Sequence, residues 1–183
     1  MTDPDQTDGA LRTPNAFDVA LDGLGRVNRA IGLAGRTLAG ALLGIMTVAV
    51  LTQVVARYGL NNSLSWTEEV SKTLMVWTAF LVAPWAYRER ANVSIDLFTE
   101  ALPPGVLRGV QIVITLLVLW ILAILFVESL DFVARGMKSR AATIPAPTGL
   151  FYVIAPISFA ALIAVGVENL ARLSFGRPPT GPS

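Results

Sequence analysis

Uncharged apolar runs, broken by short charged junctions, constrain this chain more than any other feature. Leu38 to Ala56 carries no charge and lies between Arg36 and Arg57. Thr73 to Tyr87, Ile112 to Val127 and Leu150 to Val167 follow in the same manner. An α-helix needs about 20 apolar residues to cross a bilayer, because only a helix satisfies its own backbone there. The chain is 54% hydrophobic and only 15% charged, with a mean hydropathy of +0.60. A soluble domain carries about 25% charge, so the deficit points to an all-α integral membrane protein. The spacing predicts four transmembrane helices, at about 33–56, 66–87, 106–135 and 149–171, within a membrane domain spanning 31–175.

The second span has the most legible start. Ser65 stands three residues before Glu68, the spacing of a capping box in which side chain and amide satisfy each other. Glu69 adds negative charge where the helix dipole favours it. Glu68 and Lys72 have the i,i+4 order that suits an ion pair. From Trp66 to Tyr87 a helix extends about 33 Å, enough for a hydrocarbon core. Trp66 at one end, with Trp85 and Tyr87 at the other, fits interfacial aromatic belts, whereas Trp77 lies mid-helix and suits packing against protein.

Around this span the chain reads in order. Residues 1–14 are polar, acidic at Asp3, Asp5 and Asp8, and are expected to be disordered and not to form a cleavable leader. Residues 15–30 form a weak amphipathic stripe, with Phe17, Ala20, Leu21 and Leu24 on one side, which predicts a surface arm lying on the membrane. In the first span Gly40 and Gly44 make a small-xxx-small step, a candidate for close helix packing. After Arg88-Glu89-Arg90, the segment 92–104 reads as a short amphipathic turn of helix that Ser94 could cap, with Asp96 on its polar side. Pro103-Pro104-Gly105 opens the third helix, Asp131 and Arg135 are spaced to pair, and Gly136 is placed as a C-terminal cap. Pro84, in the last turn of the second helix, is expected to kink it or hasten its end, and Pro156 is expected to kink the fourth, with neighbouring helices satisfying the carbonyl that Pro156 frees. Glu168 and Arg172 form a further i,i+4 pair. Residues 176–183 are expected to be a disordered tail.

Several function classes are excluded by what the chain lacks. With no Cys and no His there is no thiol chemistry, no imidazole base and no histidine haem or zinc site. No catalytic, metal-binding or cofactor-binding set is present, and no basic cluster suggests nucleic acid. No charge lies in the middle of a span, and no inverted repeat or pair of broken helices is evident; these are the marks of a substrate path. The chain alone therefore reads as a scaffold or accessory subunit, with a membrane enzyme ranking below it. The 14 basic residues divide unequally if the termini are inside. Arg12, Arg26, Arg29, Arg36, Arg88, Arg90, Arg108, Arg172 and Arg177 then face the cytoplasm, against Arg57, Lys72, Arg135, Lys138 and Arg140 outside. Nine against five favours both termini cytoplasmic.

The run Arg57-Tyr58, Asn61-Asn62 and Leu64-Ser65-Trp66-Thr67-Glu68-Glu69, with Trp77 beyond it, resembles the small membrane subunit of tripartite ATP-independent periplasmic (TRAP) transporters, the DctQ-like family. Val93-Ser94-Ile95-Asp96-Leu97, Leu102-Pro103, Ile144-Pro145, Tyr152 and Pro156 extend the likeness over about 31–172. The Gly-Gly-His common before the Asp96 segment is replaced here by Arg90-Ala91-Asn92. The resemblance implies a noncatalytic subunit of the bacterial inner membrane. Such a subunit braces a large sodium-coupled transport subunit and helps dock a periplasmic substrate-binding protein for uptake of an organic acid. Its implied partner interface draws on Arg57, Asn61, Asn62, Trp66, Glu68, Glu69, Trp77 and Asp96, with membrane lipid around the rest. The alternative is a four-helix scaffold or a standalone small carrier with a different partner.

Overall fold

The computed structural model describes residues 16–59, 65–90, 104–140 and 147–175. The chain there is helical: α1 (Ala16–Gly59), α2 (Ser65–Arg90), α3 (Pro104–Gly136), a one-turn α4 (Gly149–Tyr152) and α5 (Ile154–Ser174). Successive long helices run in alternating directions. They lie side by side in the order α1, α2, α5, α3, and α3 makes no extended contact with α1 or α2 among the described residues. The row has two outer edges, α1 and α3, and both expose large apolar side chains such as Leu51, Val55, Leu117 and Trp120.

By length and composition three segments can cross a membrane: Val19–Gly59, Gly105–Gly136 and Gly149–Ser174. α2 is not among them. Its uncharged run is confined to Thr73–Tyr87 and is diluted by Trp77, Thr78, Pro84, Trp85 and Tyr87.

The expected separation of a surface arm at 15–30 from the first span does not appear, since α1 is a single helix of 44 residues. At 1.5 Å per residue it extends about 66 Å, roughly twice a hydrocarbon core. From Gly25 onward, each position of α1 that escapes full exposure falls on one repeat of alternating threes and fours: Gly25, Asn28, Gly32, Gly35, Ala39, Leu42, Met46, Ala49, Gln53 and Ala56. That 3.5-residue period keeps one seam on a neighbouring helix. Most of its members are Gly or Ala, which lets backbones approach. A Cβ on Gly35 would stand 2.5 Å from the Leu81 carbonyl oxygen, and one on Gly32 would stand 3.6 Å from Trp85. Gly40 and Gly44 lie off this seam, and a Cβ on either meets nothing. The glycines of α1 that meet neighbouring helices within this chain are thus Gly25, Gly32 and Gly35.

Pro84 has no N–H for the carbonyl of Phe80, and the Ser158 hydroxyl of α5 donates to that oxygen at 2.6 Å. Pro156 likewise cannot bond Tyr152, and the fourth apolar run divides at Val153 into α4 and α5 instead of bending as one helix. In the loosened turn the Trp77 indole N–H donates to the Phe151 carbonyl at 2.8 Å. Phe80 and Phe159 add an edge-to-face contact at 5.7 Å.

The described ends of the α3–α4 connection approach each other closely. The Thr148 N–H donates to the Ser139 carbonyl at 3.0 Å, and the Thr148 hydroxyl to that of Gly136 at 2.9 Å. Gly136 is needed for this approach, because a Cβ there would stand 2.8 Å from the Cα of Gly149. Among the described residues, Asp131 with Arg135 and Glu68 with Lys72 form no ion pair.

Candidate functional site

Among the described residues, buried polar side chains gather where α1, α2 and α5 meet at one end. Glu168 ends the apolar run of α5 and is fully buried at 0% exposure. A buried carboxylate requires paired charge and hydrogen bonds, and three elements supply them. Arg88, directly after Tyr87 on α2, reaches it with Nη1 at 3.1 Å and Nη2 at 3.4 Å. Arg172, one turn along α5, approaches with Nη2 at 2.9 Å and Nε at 3.1 Å. The Asn28 amide of α1 donates at 2.7 Å and also reaches the Ala164 carbonyl at 3.2 Å. Arg88 is fixed further by the Gly25 carbonyl at 3.1 Å. A Cβ on Gly25 would stand 2.8 Å from Arg172 Nη2 and 2.9 Å from Glu168 Oε1, so a larger residue there would shift the tips of the clasp.

Beside this clasp a groove of about 380 Å³ opens between α1, α2 and α5, lined by Asp22, Gly25, Arg26, Arg29, Arg88 and Arg172. Further along α1, Arg36 lies 4.9 Å over the Trp85 ring of α2. At the same end of the row Arg108 of α3 donates to the carbonyls of Leu173 and Ser174, each at 2.7 Å, and so closes the C-terminus of α5. Tyr87 and Asn169 share a hydrogen bond between α2 and α5.

The sequence-selected interface residues separate into three groups. Arg57, Trp66 and Glu68 lie exposed at the opposite end of α1 and α2. There Glu68 accepts from the Gln53 amide at 3.2 Å, which ties the two helices together, and Arg57 lies 5.9 Å over the Tyr58 ring. Glu69 is half-buried and engaged, and its carbonyl accepts from Thr73. Trp77 is half-buried inside the row. Asn61, Asn62 and Asp96 lie outside the described residues, as does the Ser65 side chain of the capping box.

Reading the sequence missed the clasp as a unit. Glu168 and Arg172 were legible as a pair from their spacing, but Arg88 read as an orienting charge and Asn28 drew no notice. The one available signal was an amide among the glycines of an otherwise apolar stripe.

Similarity to known proteins adds to this geometry. A family profile described as the DctQ component of tripartite ATP-independent periplasmic transporters matches residues 46–176. A Haemophilus influenzae protein named as a TRAP transporter small permease is 42% identical over 64 residues, covering 35% of this chain and 40% of that one. The ectoine TRAP transporter small permease protein TeaB of Halomonas elongata is 29% identical, over 70% of this chain and 67% of its own. The isethionate TRAP transporter permease protein DctMQ of Oleidesulfovibrio alaskensis is 24% identical over 72% of this chain, yet the match is only 21% of that longer protein. No solved structure matches. With 46–176 matched in one piece, the chain belongs to the DctQ family of TRAP transporter small permease proteins.

Proposed function

We propose that this subunit is a passive brace for a large, sodium-coupled transport subunit, and that it helps a periplasmic substrate-binding protein dock for uptake of an organic acid. The carrying observation is where its charge goes. The buried carboxylate Glu168 is engaged by Arg88, Arg172 and Asn28 at the end of the row, and no charged residue lies within the apolar runs of α1, α3 or α5. A solute or ion path through the chain has nothing to work with. The uncovered apolar flanks of α1 and α3 offer what a membrane partner needs. A longer permease that contains a similar segment, DctMQ, agrees with a partner of that kind.

α2 is the fourth span in this reading. It lies between α1 and α5, so protein shields it on two sides and it needs less hydropathy than a lipid-facing helix. Both termini are then cytoplasmic in the inner membrane, with the clasp at the cytoplasmic face and Arg57, Asn61, Asn62, Trp66, Glu68 and Glu69 toward the periplasm. The nine-to-five division of basic residues supports that sense.

Coexpression with the large subunit tests the role. The two are expected to leave the membrane in detergent as one complex, and liposomes holding this chain alone are expected to take up no solute. Separate elution would instead favour a scaffold for another partner, and uptake by the chain alone a standalone carrier.

A further inference from the structure

We propose that the arginine-lined groove beside Glu168 holds the phosphate of an acidic phospholipid headgroup. This inference rests on the chain being a membrane subunit and is independent of which protein it braces. Charge is the first ground. Arg26, Arg29, Arg88 and Arg172 line the groove, against Asp22 in the wall and Glu168 behind it, so four positive and two negative groups leave a net of two positive charges. Arg88 and Arg172 are already oriented by Glu168, which fixes their guanidinium planes before any anion arrives. Arg29 makes no hydrogen bond or ion pair among the described residues, and Arg26 makes only a 3.4 Å bond to the Asp22 carbonyl. Both remain available.

Depth is the second ground. Arg88 and Glu168 each follow directly on an apolar run, at Tyr87 and Val167, so the groove begins where the hydrocarbon ends. Val27 and Ile31 of α1, each within two residues of Arg29, are 56% and 43% exposed, and Val167, directly before Glu168, is 45% exposed. A lipid bound by its phosphate has apolar side chains beside it for its acyl chains, which a free phosphate ion does not use. Basic pockets at helix ends suit acidic headgroups for the same reason.

The test uses the full-length chain purified in detergent. Retained lipid is read by native mass spectrometry after equal additions of phosphatidylglycerol and phosphatidylcholine. Phosphatidylglycerol is expected to be retained several-fold more. The double variant Arg26→Gln/Arg29→Gln, which leaves the Glu168 clasp whole, is expected to abolish that preference, given roughly one kcal/mol per basic residue at a lipid surface. Lys138→Gln at the opposite end is expected to keep it, and circular dichroism reports that each variant is folded. Equal retention of the two lipids, or a preference untouched by the double variant, overturns the proposal. Full displacement of the lipid by millimolar inorganic phosphate would assign the groove to a soluble anion and overturn it too. A double variant that lost the large subunit while keeping its lipid would assign the groove to that partner, with the same consequence.

Discussion

Glu168 sets the energetics at the residue scale. Its charge has left water altogether, and two guanidinium groups and an amide take the place of solvent. Removing one member of such a set strands the others. Glu168→Gln, which leaves Arg88 and Arg172 facing each other without a carboxylate, is expected to lower unfolding stability in detergent by about 3 kcal/mol. An unchanged melting midpoint would show that the clasp contributes nothing. Neutral bonds are worth less. Trp77→Phe, which deletes the donor to Phe151, and Ser158→Ala, which uncovers the carbonyl opposite Pro84, are each expected to cost about 1 kcal/mol in the same assay. Ser71→Ala is expected to cost nothing, because its hydroxyl is buried with no partner among the described residues.

The helix as a unit shows what was legible in the sequence and what was not. Apolar runs placed the long helices, since hydropathy depends on each residue alone. Which face of α1 turns inward depends on its neighbours, and there the local pattern misled. Gly40 and Gly44 have the spacing of a packing step, yet the seam runs through Gly25, Gly32 and Gly35 and continues unbroken over a segment whose polarity suggested a separate arm. Similarly, the prolines foretold weak points in α2 and in the fourth run, but not that Ser158 and Trp77 would cover the carbonyls there. The clasp was illegible because it joins residues distant in sequence, Asn28, Arg88 and Glu168. Substitution separates the two sets of glycines. Gly35→Ala is expected to push α1 off Leu81 and lower the melting temperature of the chain alone. Gly40→Ala with Gly44→Ala is expected to leave it unchanged or raise it, through helix propensity of up to about 1 kcal/mol per site. Should Gly40 and Gly44 meet the large subunit, bulkier Gly40→Leu would weaken copurification while sparing the isolated chain.

For the whole molecule, orientation and coupling are the measurable properties. The chain contains no Cys, so a single introduced thiol is the sole labelling site. Ser139→Cys in the α3–α4 turn is expected to react with an impermeant maleimide from the periplasmic side, and Thr180→Cys only after the membrane is opened; the reverse would invert the topology. Glu68→Gln with Glu69→Gln is expected to lower uptake by a reconstituted transporter without changing membrane insertion, and unchanged uptake would remove those carboxylates from the docking surface.

The single-file order of the helices has a mechanical consequence. Because each long helix leans mainly on its neighbours in line, bending the raft about an axis parallel to the helices strains only narrow seams. At one end the Glu168 knot and the Arg108 latch pin all four staves together, while toward the other, among the described residues, Gln53–Glu68 ties α1 to α2, Trp77–Phe151 ties α2 to α4, and the Thr148 bonds beside Gly136 tie α3 to α4. Among the described residues both ion pairs lie at that first end, so the raft is riveted there by buried charge and held elsewhere by neutral or exposed contacts.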